Sequence, residues 1–169
     1  MAIQRVDAQI VAENVDYCLA TWRQTVITLW VGPPTVDQVL RISAQCKLLL
    51  SNGKGPVTYL SVIERSSPAP TEPVRKEFAV WSRDVVSKLA MAVMVAEGGG
   101  FRGALVRGVG IALTALVPHK VPFKFASSVE EGLDLMGHVL PSPGSAAELG
   151  EAIAELRRRW GASVGRSPS

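Results

Sequence analysis

Val57-Thr58-Tyr59-Leu60-Ser61-Val62-Ile63 is the stretch that decides the fold. Its β-branched and aromatic residues favour a pleated backbone, and apolar side chains occupy both alternating sets of positions, so the strand is covered on both faces. Strands of that kind belong to parallel sheets flanked by helices. The neighbouring sequence agrees. Upstream, Thr35-Val36-Asp37-Gln38 reads as a capping box that opens a helix, with Val36, Val39, Leu40, Ser43, Cys46 and Leu50 on its inner face and Ser51-Asn52-Gly53 as its stop. Downstream, Glu64 to Pro70 is a proline-rich loop. A second helix then starts near Thr71, with Pro73 in its first turn and Val74, Phe78, Trp81 and Val85 as its buried stripe.

Further out, Val15, Tyr17, Leu19 and Thr21 alternate with Asp16, Cys18, Ala20 and Trp22, and Thr25 to Val31 is β-branched and aromatic. Arg23-Gln24 is the turn of an antiparallel hairpin, and Gly32-Pro33-Pro34 ends its second strand. Leu89 to Ala96 is another apolar strand, in which Met91 and Met94 read as core filler. Phe101 to Val117 reads as a helix, Phe123-Lys124-Phe125 as a short strand, and Ser128-Val129-Glu130-Glu131 as a second capping box. Pro141-Ser142-Pro143-Gly144 is the internal boundary. Beyond it Ser145 opens a helix with Leu149, Ile153, Leu156 and Trp160 along one edge and Arg157, Arg158 and Arg159 in its last turn. The expected fold is α/β: a mixed, mostly parallel sheet with an antiparallel edge hairpin, order β-β-α-β-α-β-α-β-α, plus a C-terminal helix. The expected organisation is an N-terminal segment 1–11, a domain 12–140, and a linker, amphipathic helix and frayed tail over 141–169.

The 169 residues suit a single domain, and 18 Lys and Arg against 15 Asp and Glu is an excess too small for a dedicated nucleic-acid binder. Cys18 and Cys46 are too few for a disulfide framework, and neither lies in a CxxC or Cys/His cluster, so no metal is expected. Asp7 and Gln9 interrupt the apolar run a signal peptide needs, and no segment approaches the roughly 18 apolar residues of a membrane span. A soluble, cytoplasmic protein is expected.

Two places could carry a ligand. Gly98-x-Gly100-x-x-Gly103 follows a strand and opens a helix, but no acid lies between Glu97 and Glu130 to take a ribose, so a dinucleotide is not expected. What remains there is a structural turn or an anion-binding helix start at Gly99, Gly100 and Arg102. The segment 98–129 also holds Arg107, Lys120 and Lys124 without a counter-charge. The second place is the loop Glu64 to Thr71, where Ser66, Ser67 and Thr71 stand between the end of a parallel strand and a helix start. A phosphate there would add roughly two negative charges and switch a partner surface. His119 and His138 have no nucleophile context, and no catalytic residue is assigned.

Element order and local patterns together resemble the STAS superfamily, in particular the SpoIIAA-like, anti-sigma factor antagonist-like group of small bacterial proteins. The resemblance covers roughly residues 12 to 140. It rests on the strand Val26 to Gly32, the helix from Thr35, the strand Val57 to Ile63, Val74-Arg75-Lys76-Glu77-Phe78, Gly100-Phe101-Arg102-Gly103-Ala104, and Phe125 to Leu133. It implies a non-enzymatic regulatory or protein-interaction module, switched in such proteins by phosphorylation of a Ser in an Asp-Ser-Ser/Thr-Gly motif. Here the corresponding stretch is Glu64-Arg65-Ser66-Ser67-Pro68, with neither the Asp nor the Gly. The alternative implied is a small-molecule or lipid-binding carrier or sensor, since SpoIIAA-like folds are similar to CRAL-TRIO domains. The partners expected are a protein, an apolar small molecule or a second copy, with Ile153, Leu156 and Trp160 buried either on the same domain or on that copy.

Overall fold

The computed structural model describes residues 7–64, 67–98, 122–140 and 145–165. In chain order the elements are β1 Gln9–Glu13, β2 Tyr17–Trp22, β3 Thr25–Trp30, α1 Val36–Ser51, β4 Thr58–Ile63, α2 Glu72–Asp84, a short 3-10 turn Val86–Lys88, β5 Met91–Ala96, β6 Phe123–Ala126, α3 Val129–Gly137 and α4 Ser145–Ser163. The fold is α/β with a six-stranded mixed sheet whose spatial order follows the chain, β1-β2-β3-β4-β5-β6. The pairs β1/β2 and β2/β3 are antiparallel, and β3/β4, β4/β5 and β5/β6 are parallel.

The period-two alternation of side chains sorts the sheet into two cores. Val26 and Trp30 of β3 and Tyr59 of β4 face Val39, Ile42, Cys46 and Leu49 of α1 and Val74 and Trp81 of α2. Ile27, Leu29, Leu60, Val62, Val93 and Val95 face the other way, onto Met136 of α3 and Leu149, Ile153, Leu156 and Trp160 of α4. β4 is therefore covered on both sides, as its composition requires. The α3 layer sits close: a carbon added at Gly132 would come within 2.8 Å of a Val95 methyl, so glycine is needed there for the helix to reach the sheet.

Several expectations hold in detail. Thr35 and Gln38 form the capping box of α1, Thr35 Oγ1 accepting from the Gln38 N–H and Gln38 Oε1 from the Thr35 N–H. The hairpin turns at Arg23, whose φ of 52° is the left-handed conformation that two-residue hairpin turns demand. Three differ. The inner stripe of α1 is Val39, Ile42, Cys46 and Leu49, while Leu40 points outward and is half exposed. At α3, Ser128 caps the Glu131 N–H, but the Glu131 carboxylate turns to Ser127, accepting from its N–H and hydroxyl at 2.7 Å each, so the box closes one residue early. And residues 9–11, placed in a segment before the domain, belong to the edge strand Gln9–Glu13 that pairs with β2. The expected helix over 101–117 lies outside the described residues.

Candidate functional site at the carboxyl ends of the parallel strands

Because β3, β4, β5 and β6 are parallel, their carboxyl ends share one rim, the place where open α/β sheets carry ligand-binding loops. The ladder continues one residue past β4 and β5: the Glu64 N–H donates to the Trp30 carbonyl and the Glu97 N–H to the Ile63 carbonyl, each at 2.9 Å. That register puts two carboxylates at the ends of adjacent strands. Between them comes Arg157 of α4, whose Nη2 lies 2.8 Å from Glu97 Oε2 and 3.5 Å from Glu64 Oε1. All three side chains are about a third exposed, so solvent screens the cluster and each pair contributes modestly, but the guanidinium still prevents two like charges from standing side by side.

Ser67 ties the loop after β4 to β3. Its N–H donates to the Glu64 carbonyl at 3.1 Å and its buried hydroxyl to the Gly32 carbonyl at 3.0 Å. The Val31 and Gly32 N–H groups in turn donate to the Asp16 carbonyl, so the β1–β2 turn joins the same rim. Thr71 is exposed at the N-cap of α2, where its hydroxyl makes no capping bond, and the Arg75 guanidinium donates to the neighbouring Pro70 carbonyl at 2.9 Å. Thus Ser67 and Glu64 belong to one hydrogen-bonded unit and Thr71 stands apart from it. Ser66, Gly99, Gly100 and Arg102 lie outside the described residues, as do Arg107, His119 and Lys120; Lys124 is exposed on β6 and His138 is exposed at the C-cap of α3. Neither Glu97 nor Arg157 was among the site residues expected from the sequence. The signal that finds Glu97 is positional: an acid directly after each of two apolar strands expected to be neighbours.

Beneath α1 and α2 lies a second polar group, fully buried. Thr28 Oγ1 and Tyr59 OH share a hydrogen bond of 2.8 Å, and Trp30 Nε1 donates to Thr28 Oγ1 at 3.1 Å and to Ser61 Oγ at 3.2 Å. Burial pushes the Tyr59 phenol up to about 12, with Ser61 and Thr28 bonds working against the rise. The phenol is therefore a neutral cross-strand strut at neutral pH.

Cys18 and Cys46 are free, buried and on opposite faces of the sheet. Burial pushes both thiols up to about 12, reinforced at Cys18 by the Glu13 carboxylate. Thiolate is the reactive form, so native protein at pH 8 is expected to resist a thiol-specific reagent and to react at both cysteines once denatured. Because the folded pKa lies above the ordinary 9.0, the neutral thiols' contribution to stability is full below pH 9 and is lost as pH rises towards about 12. A denaturation series from pH 8 to 11.5, run on the wild type and on a Cys18→Ala/Cys46→Ala variant, reads that slope.

Among the described residues, no group of three or more His, Cys, Asp or Glu could hold a metal ion, and no helix is long and apolar enough to cross a membrane. Set against protein-family models, curated proteins and solved structures, the chain matches none of them.

Proposed function

We propose that this domain is a non-catalytic, STAS-like protein-interaction module of regulatory type, acting in the cytoplasm and presenting the outer face of α1 to a protein partner. The observation that carries this reading is the stripe Leu40, Ala44, Leu48. Its members stand four residues apart on one helix face, all exposed, with Leu40 at 50% and Leu48 at 59%. A helix already buried through Val39, Ile42, Cys46 and Leu49 has no need of these leucines for its own fold. Asp37 and Arg41, paired at 2.7 Å, and Lys47 border the stripe, giving an apolar centre with a charged margin, the anatomy of a docking face. At the strand-end rim Glu64 and Glu97 pair with Arg157, and Ser67 bonds to the Gly32 carbonyl, which fits a positioning role for the rim. The carrier alternative places its cavity beside the segment 101–117, which lies outside the described residues; where α3 is described, it packs closely on the sheet at Gly132.

A photo-reactive residue at Ala44 tests this. Irradiation in cells of the host is expected to yield one predominant cross-linked protein, and Leu40→Glu/Leu48→Glu is expected to abolish that product while leaving the melting temperature within about 2 °C, as surface substitutions do. A cross-link insensitive to the double substitution, or turnover of a metabolite by the purified chain, overturns the reading.

A further inference from the structure

β1 has no fully buried position: Gln9, Val11 and Glu13 are exposed, and Ile10 and Ala12 are half buried. β2 beside it is buried along almost its whole length. The ladder between the two slips between Ile10 and Ala12, leaving Val11 unmatched and the pairing interrupted at the middle of the strand. Ala8, Ile10 and Ala12 add apolar packing, and among the described residues the side-chain hydrogen bonds that reach the strand and its ends from another element come from one stretch of α4. Arg159 Nη1 donates to the Ala8 carbonyl at 3.0 Å, just before the strand, and Trp160 Nε1 donates to the Asn14 carbonyl at 2.8 Å, just after it. The single Ser163 hydroxyl proton is shared between the Trp160 carbonyl at 2.9 Å and Glu13 Oε2 at 3.3 Å.

We propose that residues 159–163 are a strap over a releasable edge strand, and that release opens the outer edge of β2 to β1 from a second copy of this chain. This inference is independent of the α1 docking face. The occupant follows from the register. The edge of β2 is already matched to Gln9, Ile10, Ala12 and Glu13, opposite Thr21, Ala20, Leu19 and Cys18, with a slip placed at Val11. An identical copy's β1 remakes every one of those pairings, and two chains exchanging strands remake both sets. Exchange therefore costs association entropy and the extension of the short turn Asn14 to Asp16, whose hydrogen bonds to Tyr17, Val31 and Gly32 must break or be remade, which makes it a function of protein concentration. The strap sets how often the strand leaves.

The test uses the full chain in two strap variants, Arg159→Ala/Ser163→Ala, and Trp160→Phe, which keeps an aromatic ring in the core while removing the N–H donor and part of the indole's volume. Amide exchange over residues 9–13 is expected to accelerate about tenfold in both while residues 58–63 keep the wild-type rate, the pattern of local rather than global opening. In the same backgrounds, Ile10→Cys/Ala20→Cys joins residues that face each other across the ladder. Oxidation at high protein concentration is expected to give covalent dimers from the strap variants and intramolecular bridges from the chain with its strap intact. Unchanged exchange at 9–13, acceleration spread evenly over all strands, or monomeric bridges in every background overturns the proposal.

Discussion

Leu156→Ala is expected to lower the unfolding free energy by about 2–5 kcal/mol, the range for emptying a fully buried leucine site, and the melting temperature by roughly 4–20 °C for a chain of this size. Leu156 sits in the second half of α4, beyond a Pro- and Gly-rich boundary that in sequence looks like the end of a domain. In the structure it is fully buried and shares one cluster with Cys18, Ala20 and Trp22 of β2, Ile27 and Leu29 of β3 and Met136 of α3. Removing it leaves a cavity between a helix and the sheet, where neighbouring backbone is too stiff to collapse. Thermal denaturation followed by circular dichroism, with a single coincident transition at helix and aromatic wavelengths, is the measurement. A loss below about 0.5 kcal/mol, the scale of a surface substitution, would show that α4 is an appendage.

Thr28→Val is the second large effect, expected at about 1–3 kcal/mol. The substitution keeps shape and strand preference and removes one oxygen. That oxygen is the hub of the buried polar group, bonded to Tyr59 OH and accepting from Trp30 Nε1. Trp30 retains Ser61 as acceptor, so the larger part of the cost falls on the Tyr59 hydroxyl, buried on the sheet face without its nearest partner. Tyr59→Phe alone is expected to cost about 1 kcal/mol, and the double variant less than the sum of the two, because removing both ends of a buried bond leaves nothing unsatisfied. Phenol titration gives a second readout: the Thr28 bond holds the Tyr59 pKa down, so it is expected to rise further in Thr28→Val. Strict additivity in the cycle would show that the two groups act independently.

The helices and central strands were legible wherever period and punctuation agreed. Thr35 and Gln38 announce α1, Pro73 sits in the first turn of α2, and the apolar run of β4 betrays cover on both faces. β1 was not legible, because the slip at Val11 breaks the alternation in a strand only five residues long. Leu40 was misassigned through phase: positions 39, 42, 46 and 49 hold the helical period, and 40 falls a third of a turn off it. Part of the strand-end site could be read and part could not. Ser67 lay in the expected loop, but its burial follows from the Gly32 carbonyl, far away in sequence. Arg157 reads locally as a last-turn cation suited to the helix dipole, but α4 runs on to Ser163 with no basic residue in its last turn, and nothing within α4 hints that the partners of Arg157 end β4 and β5. Long-range ion pairs leave no periodic trace.

The chain-order arrangement of the sheet has a consequence for synthesis. Each strand emerging from a ribosome finds its partner already made, so β1 to β4 with α1 can assemble while the rest of the chain is still being added, at roughly 5–20 residues per second. The face bearing Ile27, Leu29, Leu60, Val62, Val93 and Val95 is a different matter, because α3 and α4, which cover it, come after every strand. A nascent chain halted near residue 140 thus carries a finished sheet with one oily side only partly covered by α3. The hazardous interval is the time before α4 docks on this face, and that is when a chaperone has something to hold.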